Sequence, residues 1–204
     1  MDLVAPIQDR IEWVEGDVLD LPFLEEAMLG MDLVYHAAAM VSFNPKEAEL
    51  MWSINEQGTE NVVNTALLQG IQKLVHVSSI AAIGKEEYGG LISEKTKWKS
   101  DKKNSNYANS KYAAEMQVWR GIAEGLNAAV INPSIILGSG FWDRGPAGFF
   151  QKIWDGLRFY TPGATGFIDV RDVTDFMIRL MESDLSDERY ILNVTNESYL
   201  NIFT

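Results

Sequence analysis

A chain of 204 residues with 47% apolar and 23% charged side chains has the length and composition of one globular domain, or of one domain with a small appended lobe. Its net charge of −12 repels phosphate backbones and anionic lipid, which argues against nucleic acid and membrane surfaces as partners. The absence of cysteine removes disulfides, thiolate catalysis and cysteine-ligated zinc together. No apolar run reaches roughly 18 residues, and MDLVAPIQDR has neither a basic head nor an apolar h-region, so a cytoplasmic protein with no signal peptide is expected.

The segment Ile11 to Asp17 has the composition of a strand, followed by a short helix over Pro22 to Leu29 with Asp20 as its cap. Asp32 to Ala39 (DLVYHAAA) is almost continuously apolar, as expected of a strand buried on both faces. A long helix is predicted from Lys46 to Gln69, closed by Gly70, and then a buried strand over Leu74 to Ser79. Residues 84–104, with Gly89-Gly90 and a lysine-rich stretch, read as a solvated loop.

The pattern predicts a helix from Tyr107 to Glu124, closed by Gly125, and a strand starting at Ala128 to Ile131. A glycine-rich turn spans Gly138 to Gly148. Beyond it are expected a helix near Phe149 to Leu157, a strand at Gly166 to Val170, a helix from Asp172 to Ser183, and a last strand at Tyr190 to Val194. Alternation of this kind argues for an α/β fold, a parallel sheet wrapped on both faces by helices. Residues 1–137 then read as the main sheet domain, and 138–204 as its last elements mixed with part of a second, substrate-side lobe.

Tyr107 and Lys111 stand four residues apart, so on a helix both point from one face. An ammonium beside a phenol favours phenolate and brings its pKa down from about 10 toward working pH, which makes tyrosine a usable general acid or base. Ser79, at the end of a buried strand, lies where parallel α/β folds place their ligands, and its hydroxyl can polarise the same substrate oxygen.

The ordered motifs GDVLD (16–20), HAAA (36–39), NEQGTENVV (55–63), HVSSIAAIG (76–84), YANSK (107–111) and NPSIILG (132–138) resemble those of the extended short-chain dehydrogenase/reductases, also described as the NAD-dependent epimerase/dehydratase family. The resemblance runs from about residue 11 to 195. It implies a Rossmann-type doubly wound parallel sheet, NAD or NADP as cofactor, and Ser79, Tyr107, Lys111 and Asn55 as the catalytic set, with Asn55 buttressing the site. It further implies that Asp17 and Val18 meet the adenine, that Ala37, Ala38 and Ala39 are small residues past which the cofactor lies, and that Tyr107 and Lys111 approach the nicotinamide ribose. Pro133 and Ser134 would approach the nicotinamide end. Read without the resemblance, Asp17 is equally a helix cap, Asn55 a helix-surface amide and the alanines packing residues.

Within the family, Ser79 is followed by Ile80 and Ala81, where dehydratases carry an Asp-Glu pair. Ile83-Gly84 and Asn132-Pro133 replace the Tyr-Gly and Arg-Pro of sugar epimerases. The leaning is toward dihydroflavonol reductases and hydroxysteroid dehydrogenases, acting on a small-molecule carbonyl/secondary-alcohol pair. A nucleotide-sugar epimerase and a non-catalytic dinucleotide sensor or scaffold are the competing readings. His36 and His76 read as satisfied core histidines, and no metal is assigned. The family's G-x-x-G-x-x-G turn is not among the 204 residues, so the chain is expected to lack the first βαβ unit at its N-terminus and part of the lobe at its C-terminus. A homodimer through the Tyr107 helix and the 46–69 helix is the expectation for the family.

Overall fold

The structure, a computed structural model, describes residues 5–86, 90–139, 148–156 and 163–203. These divide into two compact units, one of residues 16–132 and 177–191 and the other of 1–15, 133–176 and 192–204.

In the first unit, Asp20 caps helix α1 (Leu21–Ala27) by accepting from Phe23 N at 3.2 Å, with Pro22 in the first turn. Strand β1 (Leu33–His36) leads to a 3-10 turn, Pro45–Glu47, and then to helix α2 (Ala48–Trp52), a π-turn (Ser53–Gln57) and helix α3 (Gly58–Gln69). Gly70 closes α3 with φ +69°, a left-handed conformation that glycine adopts without steric cost. Strand β2 (Lys73–Val77) and a 3-10 turn (Ile80–Ala82) precede helix α4 (Asn106–Ala123), capped by Ser105. Strand β3 (Ala128–Pro133) follows.

The main sheet has the order β1-β2-β3-β6, where β6 is Arg189–Leu192. Strand β2 is parallel to both of its neighbours, with His36 opposite His76 and His76 opposite Val130. Helices α1, α3 and α4 flank it, and Val62, Val63, Ala66, Leu74, Val118 and Val130 fill the core between. This is the expected α/β architecture, a Rossmann-like parallel sheet with flanking helices.

The second unit holds a smaller sheet in the order β4-β5-β7, from Ile135–Leu137, Ala164–Asp169 and Thr195–Ser198. Strands β4 and β5 are parallel, and β5 and β7 antiparallel. Helices α5 (Gly148–Trp154), α6 (Val170–Glu182, whose last residues belong to the first unit) and α7 (Tyr199–Phe203) complete the set.

Three local expectations are corrected. Residues 11–17 form no strand, and Trp13 and Val14 are exposed. A strand exists only through a ladder, and no described strand pairs with this segment. For the same reason β1 is shorter than expected and open on one side: it ends the sheet, and Leu33 and Tyr35 are exposed where burial on both faces was expected. The single 46–69 helix is interrupted by the π-turn at Asn55. Strands β4 and β7 and helix α7 carry no apolar period long enough to have been anticipated, while most of the Gly138–Gly148 turn lies outside the described residues.

Candidate active site

Two elements deliver the central groups. Ser79 follows the C-terminal end of β2 and caps the 3-10 turn, its Oγ accepting from Ala81 N at 3.2 Å. Tyr107 and Lys111 come from the first turns of α4, and the Ser79 side chain is close enough to the Tyr107 phenol to draw its pKa down. Lys111 is fully buried, and its Nζ donates to Val77 O at 3.0 Å, two residues before Ser79.

Asn55 connects this pair to the loop after β1. Its Oδ1 accepts from Met40 N at 2.7 Å, and its Nδ2 donates to Met40 O at 2.9 Å and to Ser110 Oγ at 3.0 Å. Ser110 in turn donates to Tyr107 O at 2.9 Å. Asn55 is therefore a buried staple and not a helix-surface amide. The π-turn that carries it is the kind of local widening that often marks functional positions.

Burial dominates the electrostatics. It pushes the Tyr107 phenol above its ordinary pKa, and the hydrogen bond from Ser79 offsets only part of that rise. The expected lowering by Lys111 is thus reversed, because removing a phenolate from water costs more than the neighbouring hydroxyl returns. Burial also brings Lys111 down to about 8, against the pull of the Glu115 carboxylate. His36 is lowered to about 4 by burial and by Lys111, and His76 is lowered by burial, Lys111 and His36.

His36 is satisfied. Thr59 spends its proton on Asn55 O at 2.6 Å, so His36 Nε2 donates to Thr59 Oγ1 at 2.9 Å. His76 corrects the expectation, since both of its ring nitrogens are buried without a partner. Among the described residues no group of three or more His, Asp or Glu side chains is arranged to hold a metal.

The other expected residues are distributed as follows. Asp17 is exposed, its Oδ1 accepting from Leu19 N at 2.9 Å, and it does not cap α1, which Asp20 does. Val18 packs against Gly58, where an added Cβ would lie 2.5 Å from Val18 Cγ2, and its carbonyl accepts from Asn61 Nδ2 at 3.0 Å. Ala37, Ala38 and Ala39 follow the C-terminal end of β1 with exposed side chains, so close packing does not explain them. Pro133 and Ser134 are buried in the second unit, and Ser134 Oγ has no partner.

A cleft of about 290 Å³ is lined by Ser42, Phe43, Asn44, Asn104, Ser105 and Asn106. The Phe43 ring meets Tyr107 edge-on, with centroids 6.0 Å apart. Sequence reasoning missed Phe43, Ser78, Glu115 and the part played by Asn132. The signal for Glu115 was present in the 107, 111, 115 spacing, which continues one helical stripe.

The profile of the NAD dependent epimerase/dehydratase family matches residues 4–194. The chain belongs to that family. It is 34% identical over 167 residues to a putative dihydroflavonol 4-reductase of Synechocystis sp., covering 80% of this chain and 48% of the relative. It is 28% identical to sterol demethylase protein B of Methylococcus capsulatus, covering 89% and 56%. The fold matches DesIV, a dTDP-glucose 4,6-dehydratase from Streptomyces venezuelae solved with NAD and TYD bound. The TM-score is 0.85 at 20% identity, over 98% of this chain and 64% of that one. The chain spans about half the length of the curated relatives it matches. No helix among the described residues is long and apolar enough to cross a membrane.

The residues present fit the nicotinamide half of such a dinucleotide. Three exposed alanines follow one parallel strand, Ser79 follows the next, and Lys111 on α4 bonds Val77 O at that same end of the sheet. The C-terminal ends of parallel strands are where such ligands bind.

Proposed function

We propose that this chain carries the proton-transfer site of an NAD(P)-dependent oxidoreductase that interconverts a carbonyl and a secondary alcohol on a small molecule. The observation that carries this reading is the convergence on one strand end: Lys111, buried on α4, donates Nζ to Val77 O at 3.0 Å, and Tyr107, one turn earlier on that helix, is close enough to Ser79 to feel its hydroxyl. The dinucleotide, when bound, supplies or accepts the hydride. In reduction Tyr107 gives its phenolic proton to the carbonyl oxygen, and in oxidation it takes that proton back. The Ser79 hydroxyl donates to the same oxygen and withdraws charge from the carbon.

Burial favours the protonated Tyr107 phenol, which suits the donor role. Lys111 would hold the ribose hydroxyls, with Ala37, Ala38 and Ala39 lining the cofactor's path and Asp17 and Val18 at its adenine end. The cleft beside Phe43 would admit the substrate. Ile80 and Ala81 form the turn after Ser79 and bring no carboxylate, which disfavours water elimination. A homodimer through α4 and the helical segment 46–69 belongs to the same proposal, and light scattering tests whether the protein is a dimer.

Tyr107→Phe in the full-length protein tests the assignment. Turnover is expected to fall by about 100-fold or more, the scale of a lost general acid, while the calorimetric affinity for NAD(H) or NADP(H) changes little. Near-normal turnover would overturn the assignment.

A further inference from the structure

One well-satisfied buried charge among the described residues is not used by the reaction above. The Glu115 side chain has no solvent exposure, yet four donors converge on it. Ser78 Oγ donates to Oε2 at 2.7 Å and Asn132 Nδ2 to the same oxygen at 2.8 Å. Trp119 Nε1 donates to Oε1 at 3.1 Å, and the Arg189 guanidinium pairs with it at 3.2 Å. Asn132 Nδ2 also donates to Ser79 O at 3.0 Å.

Glu115 thus holds the segment just after β2 twice, through the Ser78 side chain directly and through Asn132 to the Ser79 carbonyl. It lies one helical turn beyond Lys111, whose Nζ holds Val77 O on the same strand end. A carboxylate taken out of water is costly unless it is paired and hydrogen-bonded, and placing one here has a consequence for the reacting groups.

We propose that Glu115 is a positioning residue of the Ser79–Tyr107–Lys111 site: its carboxylate clamps the strand end that presents Ser79 and is the counter-charge of the buried Lys111. This rests on the proton-transfer reading above. The groups facing Lys111 are Tyr107 and Glu115 on its own helix, His36 on β1 and His76 on β2. Facing Glu115 from β6 is Arg189. Both histidines are neutral at working pH, which leaves Glu115 as the anion that opposes the desolvation of Lys111. Without it, Lys111 loses its proton at lower pH, and the ribose anchor with it.

The experiment compares wild type, Glu115→Gln, Glu115→Asp and Tyr107→Phe in the full-length protein. Turnover is followed from pH 6 to 10, and the Lys111 ε-carbon resonance is titrated by NMR without cofactor. Glu115→Gln should move the alkaline limb of kcat and the Lys111 titration down together by about one pH unit, a tenfold change in the proton equilibrium. KM for the substrate should change less than about twofold, and Glu115→Asp should fall between wild type and Gln.

A folded Glu115→Gln with limb and titration at wild-type positions overturns the proposal. Should the Gln variant not fold, an unmoved titration in Glu115→Asp overturns it equally. If Tyr107→Phe is inactive while the Glu115 variants titrate as wild type, only the role of Glu115 falls. If Tyr107→Phe stays active, the reading beneath it falls as well.

Discussion

Asn55 and Ser110, fifty-five positions apart, share a hydrogen bond of 3.0 Å in which the amide donates to the hydroxyl. Through it, the turn after β1 and the first turn of α4 are joined, because Ser110 passes its own proton to Tyr107 O and the Asn55 side chain closes two bonds on Met40. The orientation of Tyr107 therefore depends on a residue in a different helix.

Asn55→Ala should be expensive. It strands the Met40 N–H and carbonyl and removes a donor from Ser110, and buried polar groups left unpaired cost about 1–3 kcal/mol. Urea unfolding of the variant should show a loss in that range, and a midpoint equal to wild type would show that the staple carries no load.

Lys73 makes a second such connection. Its Nζ donates to Leu180 O and Ser183 O, each at 2.6 Å, and so satisfies carbonyls at the C-terminal end of α6. Lys73→Met keeps the apolar stem and removes the charge-assisted bonds, at a cost of about 1.5–3 kcal/mol. Hydrogen exchange should rise at 180–183 before it rises elsewhere. Uniform protection in the variant would refute a local role.

The buried histidines make stability fall toward acid. His36 has a folded pKa of about 4 against an ordinary 6.5, so below 6.5 the unfolded chain takes up the proton more readily than the folded one. The contribution of His36 is complete above about pH 6.5 and is lost as pH falls toward 4. Between pH 7.5 and 5.0 this amounts to about 2 kcal/mol, and His76 acts in the same direction. Denaturant unfolding at the two pH values should show at least this loss, and His36→Gln should lose about 2 kcal/mol less. An equal loss in the variant would assign the acid sensitivity to other groups.

Where the information was local, the sequence could be read directly. Asp20 before Leu21-Pro22, Gly70 and Gly125 are caps whose chemistry involves a few consecutive residues, and they stand where expected. The apolar runs of β2 and β3 were equally plain, because strands buried in the middle of a parallel sheet have no polar face. The motif order from GDVLD to NPSIILG carried the family, and the family profile covers the same stretch.

Where the structure departed, the deciding partner lay far along the chain. Ile11 to Asp17 has the composition of a strand, but composition does not provide a ladder, and the segment stays unpaired by any described strand and exposed. The 46–69 segment has the period of one helix, yet the bonds from Asn55 to Met40 and Ser110 coincide with a π-turn in its middle. Short strands such as β4 and β7 follow from pairing with β5, which no period within three or four residues reveals.

The candidate site divides along the same line. The 107–111 spacing put Tyr107 and Lys111 on one helix face, and it took the position of Ser79 after a buried strand and the order of the family motifs to make the three residues a candidate set. The charge states of these groups were not readable from spacing. The Tyr107 phenol is raised and not lowered, and Lys111 sits near 8, because the balance between desolvation and neighbouring charge depends on which groups the tertiary structure excludes from water. The Glu115 clamp belongs wholly to that level: its donors come from the residue after β2 and from α4, β3 and β6, and only the folded chain brings them to one carboxylate.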